Sequence, residues 1–234
     1  MWKVIVSVLL LMTVVVGCKK PVVPENGGDN DIPTGTDEFV DLGLPSGTLW
    51  ATRNVGADKP EACGYYFAWG ETAPKELYDW KSYRYGNCID HWFAITKYCT
   101  DSAWGLDGFV DSLTVLLPDD DAATVNWGTD WRMPTKEEWE ELYQNSDITW
   151  TSQNGVDGRL FTGPNGNSIF LPTTGFRLDG ELICLGLGIY WSSTLHNHFP
   201  ERGWSFHYDY DECHVCGTYE RSRGQCIRAV RLVR

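Results

Sequence analysis

No stretch of this 234-residue chain is suited to crossing a bilayer as a helix. The apolar run Val4–Val16, interrupted only by Ser7 and Thr13, covers 13 residues, and a spanning helix needs about 20. Positive charge is also scarce: 19 Lys and Arg stand against 32 Asp and Glu, for a formal net charge of −13. That balance excludes a nucleic-acid binder, whose phosphate contacts require a basic face, and disfavours docking of the folded surface on anionic lipid. The familiar signatures of catalysis are missing, with no nucleophile elbow, phosphate loop or zincin motif. Cys213-His214-Val215-Cys216 has the spacing of a zinc half-site, with His207 nearby. No second Cys-x-x-Cys or His-x3-His completes it, so neither a metal nor another cofactor is expected.

Apolar and aromatic residues are plentiful. The chain is 42% hydrophobic and carries 12 Trp, 11 Tyr and 9 Phe, enough to bury a core and to exclude global disorder. Such aromatic weight implies a ring-dense core or a contact surface.

The N-terminus reads as an address. Lys3 precedes the apolar run, which ends at Val15-Val16-Gly17-Cys18. A short h-region followed by a small residue and Cys matches a lipoprotein signal. Residues 1–17 are therefore expected to be removed and Cys18 to be acylated, placing the protein on a lipid membrane. Two or more acyl chains give stable anchoring. Residues 18–38, rich in Pro, Gly, Asp and Asn, read as a flexible tether. The eighteen residues Lys19–Thr36 within it span roughly 20–25 Å.

The domain is expected over 39–234. Thr48–Thr52, Gly64–Gly70, Tyr190–Thr194 and Cys226–Val233 read as strands, the last of them alternating. Asp119-Asp120-Asp121 reads as the solvated start of a short helix. Thr135 and Glu138 form a capping box, with Trp139, Leu142 and Tyr143 on one buried stripe. Asn154-Gly155, Asp157-Gly158, Asn165-Gly166 and Asp179-Gly180 read as hairpin turns. These elements predict an α+β fold of short antiparallel strands and hairpins with one or two packed helices.

Several segments together resemble a known family. Asp41–Thr52, Phe67-Ala68-Trp69-Gly70-Glu71, Trp131-Arg132-Met133-Pro134-Thr135, Tyr190-Trp191-Ser192-Ser193 and Gly224–Arg231 are similar to the FISUMP domain, the Fibrobacter succinogenes major paralogous domain. The resemblance implies a Bacteroidetes-type envelope lipoprotein of the outer membrane, displayed at the cell surface. The segment 122–140 is also similar to formylglycine-generating sulfatase-modifying proteins, which implies a C-type-lectin-like fold. Cys226-Ile227 departs from the family's usual Ser near its last Val-Arg. The sulfatase-modifying relatives oxidise a substrate Cys with paired thiols. The spacing of Cys213, Cys216 and Cys226 does not match their motif, and the chain is read as a non-enzyme. Folds of this kind also include the variable proteins of diversity-generating retroelements. Calcium-dependent sugar binding lacks its usual triplets here, because neither Glu-Pro-Asn nor Gln-Pro-Asp occurs.

Beyond Cys18, seven Cys remain: 63, 88, 99, 184, 213, 216 and 226. An odd number cannot all pair within one chain. Cys213 and Cys216 are expected as a local disulfide or free surface thiols. Segment 195–221 holds four of the five His, with Phe199, Trp204, Phe206, Arg202, Arg221 and several Tyr. This composition is that of an interface. Trp204 and Phe206 are read as core. His196, His198, Arg202, His207, Tyr210, His214 and Tyr219 are the candidate ligand-binding residues, for an extracellular protein or glycan. The rival reading is a structural envelope lipoprotein with no soluble ligand.

Overall fold

The computed structural model describes residues 38–86 and 94–231. The signal run, Cys18, the tether and Cys88 lie outside the described residues. In chain order the elements are β1 (Phe39–Asp41), β2 (Leu49–Asn54), α1 (Ala122–Trp127), α2 (Lys136–Gln144), β3 (Asp147–Gln153), β4 (Val156–Thr162), β5 (Ser168–Pro172), β6 (Phe176–Leu178), β7 (Glu181–Ile183), β8 (Gly188–Leu195), β9 (Arg202–Tyr208), β10 (Cys213–Glu220) and β11 (Arg228–Arg231). The strands form sheets in the orders β1-β2-β11, β3-β4-β5, β6-β7 and β10-β9-β8, and the strand pairs within them are antiparallel.

Strand accounts for 37% of the structure and helix for about 11%. The expected α+β, C-type-lectin-like architecture is thus corrected to a β-rich fold of antiparallel sheets. Helical signals in this sequence are local and brief. α1 stops at Gly128 after six residues, and α2 is nine residues long. The turn dipeptides meanwhile turn the following chain into hairpins. At Asn154-Gly155 and Asp179-Gly180 both residues are left-handed, with φ 51° and 82° and φ 49° and 83°. That geometry matches the right-handed twist of the strands on either side.

Two expected elements are absent. Asp157-Gly158 makes no turn; it lies inside β4, and Gly158 pairs with Thr151 on one side and Pro172 on the other. A Cβ at Gly158 would stand 2.2 Å from the Leu171 carbonyl oxygen, so close strand approach is what requires glycine there. Gly64–Gly70 is not a strand. Its end glycines are left-handed, at φ 72° and 81°, and only Phe67 bridges, exchanging bonds of 2.9 and 3.0 Å with Gln225. The segment is nonetheless core, with Tyr66, Phe67, Ala68 and Trp69 all buried. At the C-terminus β11 begins at Arg228 rather than at Cys226, and Leu232 and Val233 lie outside the described residues; Arg228, Ala229 and Val230 are all buried, so these three do not alternate.

α2 supplies the centre of the core. Trp139 lies 4.8 Å from Trp50 and stacks on Phe206 at 4.7 Å, centroid to centroid. Its indole N–H donates to the Trp191 carbonyl at 3.3 Å. The capping box forms as its spacing predicts. The Glu138 N–H donates to Thr135 Oγ1 at 3.3 Å, and the Thr135 N–H to Glu138 Oε2 at 2.9 Å. Arg132 clamps the same carboxylate with two bonds of 2.6 Å. Burial works to raise the pKa of Glu138, but the Arg132 bonds outweigh it and hold the carboxyl below its usual range. Tyr143 departs from the expected buried stripe and is 40% exposed, while Leu142 beside it is fully buried.

The acidic triplet is not a solvated helix start. Only Asp119 is exposed; Asp120 and Asp121 are 2% and 3% exposed. Asp121 caps α1 by accepting from the N–H groups of Ala123 and Thr124, at 2.9 and 3.0 Å, and it also accepts from Met133 N at 2.8 Å. Asp120 accepts from the Tyr85 hydroxyl, from the Tyr98 hydroxyl at 2.5 Å and from Lys97 Nζ at 2.5 Å. Burial opposes its ionisation, and these three donors overcome it, so its pKa falls below the ordinary carboxylate value.

Two outcomes are expected. Thr135→Ala lowers stability by about 1 kcal/mol, read from the denaturant midpoint. Asp120→Ala lowers it by about 3–5 kcal/mol, since it leaves a partly buried ammonium without its carboxylate and the Tyr85 and Tyr98 hydroxyl protons without their acceptor. Asp120 has a folded pKa below its unfolded one. Its contribution is therefore present above the ordinary carboxylate pKa and is lost as pH falls through the folded value. Melting temperatures across acidic pH should fall less steeply in Asp120→Asn than in the parent. Equal slopes would show that Asp120 carries no linked proton.

Candidate ligand-binding face

The β8–β9–β10 sheet carries the candidate residues, but they fall in three places. His207 and His214 are direct cross-strand partners on β9 and β10. Their rings are 4.7 Å apart, and His207 also meets the Tyr219 ring at 6.1 Å. Burial, then the neighbouring His214, lowers the pKa of His207. Tyr219 is half-buried against Phe176, so much of its ring belongs to packing.

Tyr210 stands alone in the β9–β10 turn, 68% exposed, with its ring 5.4 Å from Trp150. The turn is fastened beneath it by Arg159, which donates to the carbonyls of Asp209 and Tyr210, both at 3.0 Å.

His196, His198 and Arg202 gather at the β8–β9 turn. His196 Nδ1 accepts from the backbone N–H groups of His198 and Phe199, both at 3.1 Å. The ring thereby builds the turn that displays its neighbours. It stacks on Trp204 at 4.6 Å and lies 5.1 Å from Phe199. Lys136 Nζ also lies over the Trp204 ring, 5.0 Å from its centroid. Burial, then the charges of His198 and Arg202, lowers the pKa of His196. Phe206 is fully buried as expected. Trp204 is only half-buried and corrects the core assignment, since its position on β9 faces the N-terminal end of α2.

A cavity of about 310 Å³ opens beside this turn, lined by Trp104, His196, Phe199, Glu201, Arg202, Thr218 and Glu220. Sequence reasoning missed Trp104, Glu201, Thr218 and Glu220. Trp104 comes from a remote segment, and nothing local marks a single Glu beside Pro200 as buried. Arg221, grouped with the interface by composition, is instead fully buried. It donates to Tyr83 Oη at 2.8 Å and to the carbonyls of Pro200, Tyr98 and Lys97 at 2.9, 3.0 and 3.0 Å. Its backbone N–H donates to the Glu201 carbonyl at 2.9 Å. The floor of the cavity is thus tied to the core by a guanidinium fork.

Cys63, Cys99, Cys184, Cys213 and Cys226 are free thiols. Cys213 is half-buried against the core rather than at the surface, and burial pushes its pKa up to about 11. Among the described residues no cluster of three or more His, Cys, Asp or Glu is arranged to hold a metal ion. No family model matches the chain, and no curated protein or solved structure shows detectable similarity to it.

Burial raises the pKa of Cys63, Cys99 and Cys226, whereas Cys184 is exposed. Since the thiolate is the reactive form, iodoacetamide should modify Cys184 in the native protein well before these three. Peptide mapping checks the order, and native labelling of Cys226 ahead of Cys184 would contradict the buried placement.

Proposed function

We propose that this chain is a lipid-anchored protein of the bacterial envelope whose domain binds an external ligand. The class comes first: a binding protein rather than an enzyme, held by an acylated Cys18 and set off the membrane by the 18–38 tether. The signal-like run ending at Gly17-Cys18 supports the anchor, and the FISUMP-like motifs over 39–234 support an outer-membrane, surface-displayed location. More narrowly, the ligand is a protein or glycan met at the β8–β9 turn. The observation that carries this reading is the turn itself. It exposes His198 and 47% of Phe199 beside a cavity with convergent polar groups. Exposed rings on a turn fixed by the fold beneath them give contact area at modest entropic cost.

Two measurements test the proposal. Cys18→Ala should move the protein from the detergent phase to the aqueous phase of Triton X-114; unchanged partitioning removes the anchor. The double variant His198→Ala/Phe199→Ala alters exposed side chains, so each change should shift stability by no more than about 0.5 kcal/mol. Its retention on immobilised envelope extract or a glycan array should drop by roughly tenfold or more, the cost of losing an interface anchor. Retention equal to the parent would remove this turn from the binding face.

A further inference from the structure

We infer that His196 is a proton-operated fastening of the β8–β9 turn: the neutral ring holds the tip that displays His198 and Phe199, and the charged ring releases it, so that binding at this tip weakens as pH falls. This rests on the ligand-binding reading above and adds its regulation.

The backbone N–H groups of His198 and Phe199 both donate to His196 Nδ1, each at 3.1 Å. Only an unprotonated Nδ1 has a lone pair to receive them, which fixes the neutral form of the ring with its proton on Nε2. In the imidazolium both ring nitrogens are donors. A proton taken from solvent at Nδ1 would therefore point at two N–H groups, and both bonds break in the step that charges the ring. The base of the turn does not depend on that nitrogen. There the His196 N–H donates to the Arg202 carbonyl at 3.0 Å, and the Arg202 N–H to the Phe199 carbonyl at 2.9 Å. What protonation frees is the tip.

The charges around the ring favour the neutral form. The His198 ring lies 6.2 Å away within the turn. Arg202 stands on β9, and Lys136 of α2 lies over the Trp204 ring on which His196 stacks. The carboxylates near the turn each face another cation: Glu201 faces Arg202, Glu220 faces Arg223 and Glu140 faces Lys136. Burial and the charges of His198 and Arg202 hold the pKa of His196 below the ordinary imidazole value. Its folded pKa thus lies below the unfolded one. The stability given by the neutral ring is complete above about pH 6.5 and is lost as pH falls through the folded value.

The test follows amide hydrogen exchange in the full-length protein from about pH 7.5 to about pH 4.5, a range that brackets imidazole titration. Rates are corrected for the intrinsic pH dependence of exchange, and the His196 ring is monitored by NMR in the same samples. Where the ring charges, the His198 and Phe199 amides should lose roughly tenfold or more of their protection, the worth of an ordinary hydrogen bond, while the Arg202 amide keeps its own. His196→Asn retains an acceptor that can receive N–H groups further along a turn, and it does not titrate; its protection should stay level with pH. Protection retained in the parent after the ring has charged, or lost equally at Arg202, overturns the inference. So does a ring that stays neutral to the lowest pH, or a response abolished in His198→Gln, which would assign the proton to His198. On immobilised envelope extract, parent retention should fall across the same range and that of His196→Asn should not; an equal fall in both overturns the regulation. If the amides respond as expected but the parent is retained at no pH, the binding reading fails and the fastening stands.

Discussion

A guanidinium buried without a counter-carboxylate has to be solvated by the fold itself, and that requirement organises much of this domain. Arg221 is 0% exposed, and the oxygens that receive its protons are one phenol and three carbonyls. The faces of Trp69, Tyr83 and Tyr98 enclose it at 4.9, 5.2 and 5.8 Å. The cost of desolvating a cation is offset here by dipoles and ring quadrupoles held in fixed positions. Those partners come from three separate stretches, around residues 83, 97–98 and 200. One side chain therefore fixes an irregular segment that has no ladder of its own. Arg228 repeats the device in the β1-β2-β11 sheet, donating to Asn54 Oδ1 and to the carbonyls of Ala51 and Phe170, and burial lowers its pKa to about 10.

The aromatic wealth of the sequence acquires its reason from this arrangement. Tyr85 and Tyr98 bond to buried Asp120, Tyr83 to Arg221, and Tyr66, Tyr190 and Tyr208 to the carbonyls of Thr174, Pro172 and Leu171. Each ring fills core volume while its hydroxyl pairs with a polar group that the sheet ladders and loops leave open. Core and contact surface are thus not alternatives. Most rings are interior, and a few, such as Phe199 and Tyr210, emerge at turns.

What could be read from sequence was what depends on near neighbours. The Thr135–Glu138 cap and the Asn154-Gly155 and Asp179-Gly180 turns are decided within four residues, and all three formed. Asp157-Gly158 has the same turn chemistry, yet strands on both sides claim it, and pairing overrides local preference. The balance of helix and strand is hidden for the same reason: strand content here comes from long-range pairing, which leaves a weak local trace. At the site, His196, His198 and Arg202 were legible as a polar and aromatic cluster close in sequence. Arg221 was not, because three of its partners, Tyr83, Lys97 and Tyr98, stand 138, 124 and 123 positions away, and nothing local marks Glu201 as buried. His207, His214 and Tyr219 lie near one another, while Tyr210 faces Trp150, a separation that only strand register and the turn could reveal.

The antiparallel pairing of β11 with β2 also bears on the order in which the chain acquires its structure. Arg228 reaches back 174 residues to Asn54 and 177 to Ala51. Contacts so distant in sequence require a large loop to close before they return any free energy, and such topologies fold slowly. The hairpins β3–β4 and β6–β7 close over short turns and can form early, whereas β2 stays open along one edge until the last strand arrives. During synthesis that open edge would offer unpaired N–H and C=O groups beside Trp50 and Ala51, a template for pairing with another chain. The final strand acts as the latch that ends this exposure, so its slow arrival, more than any weakness in the finished core, sets the interval in which the protein is open to aggregation.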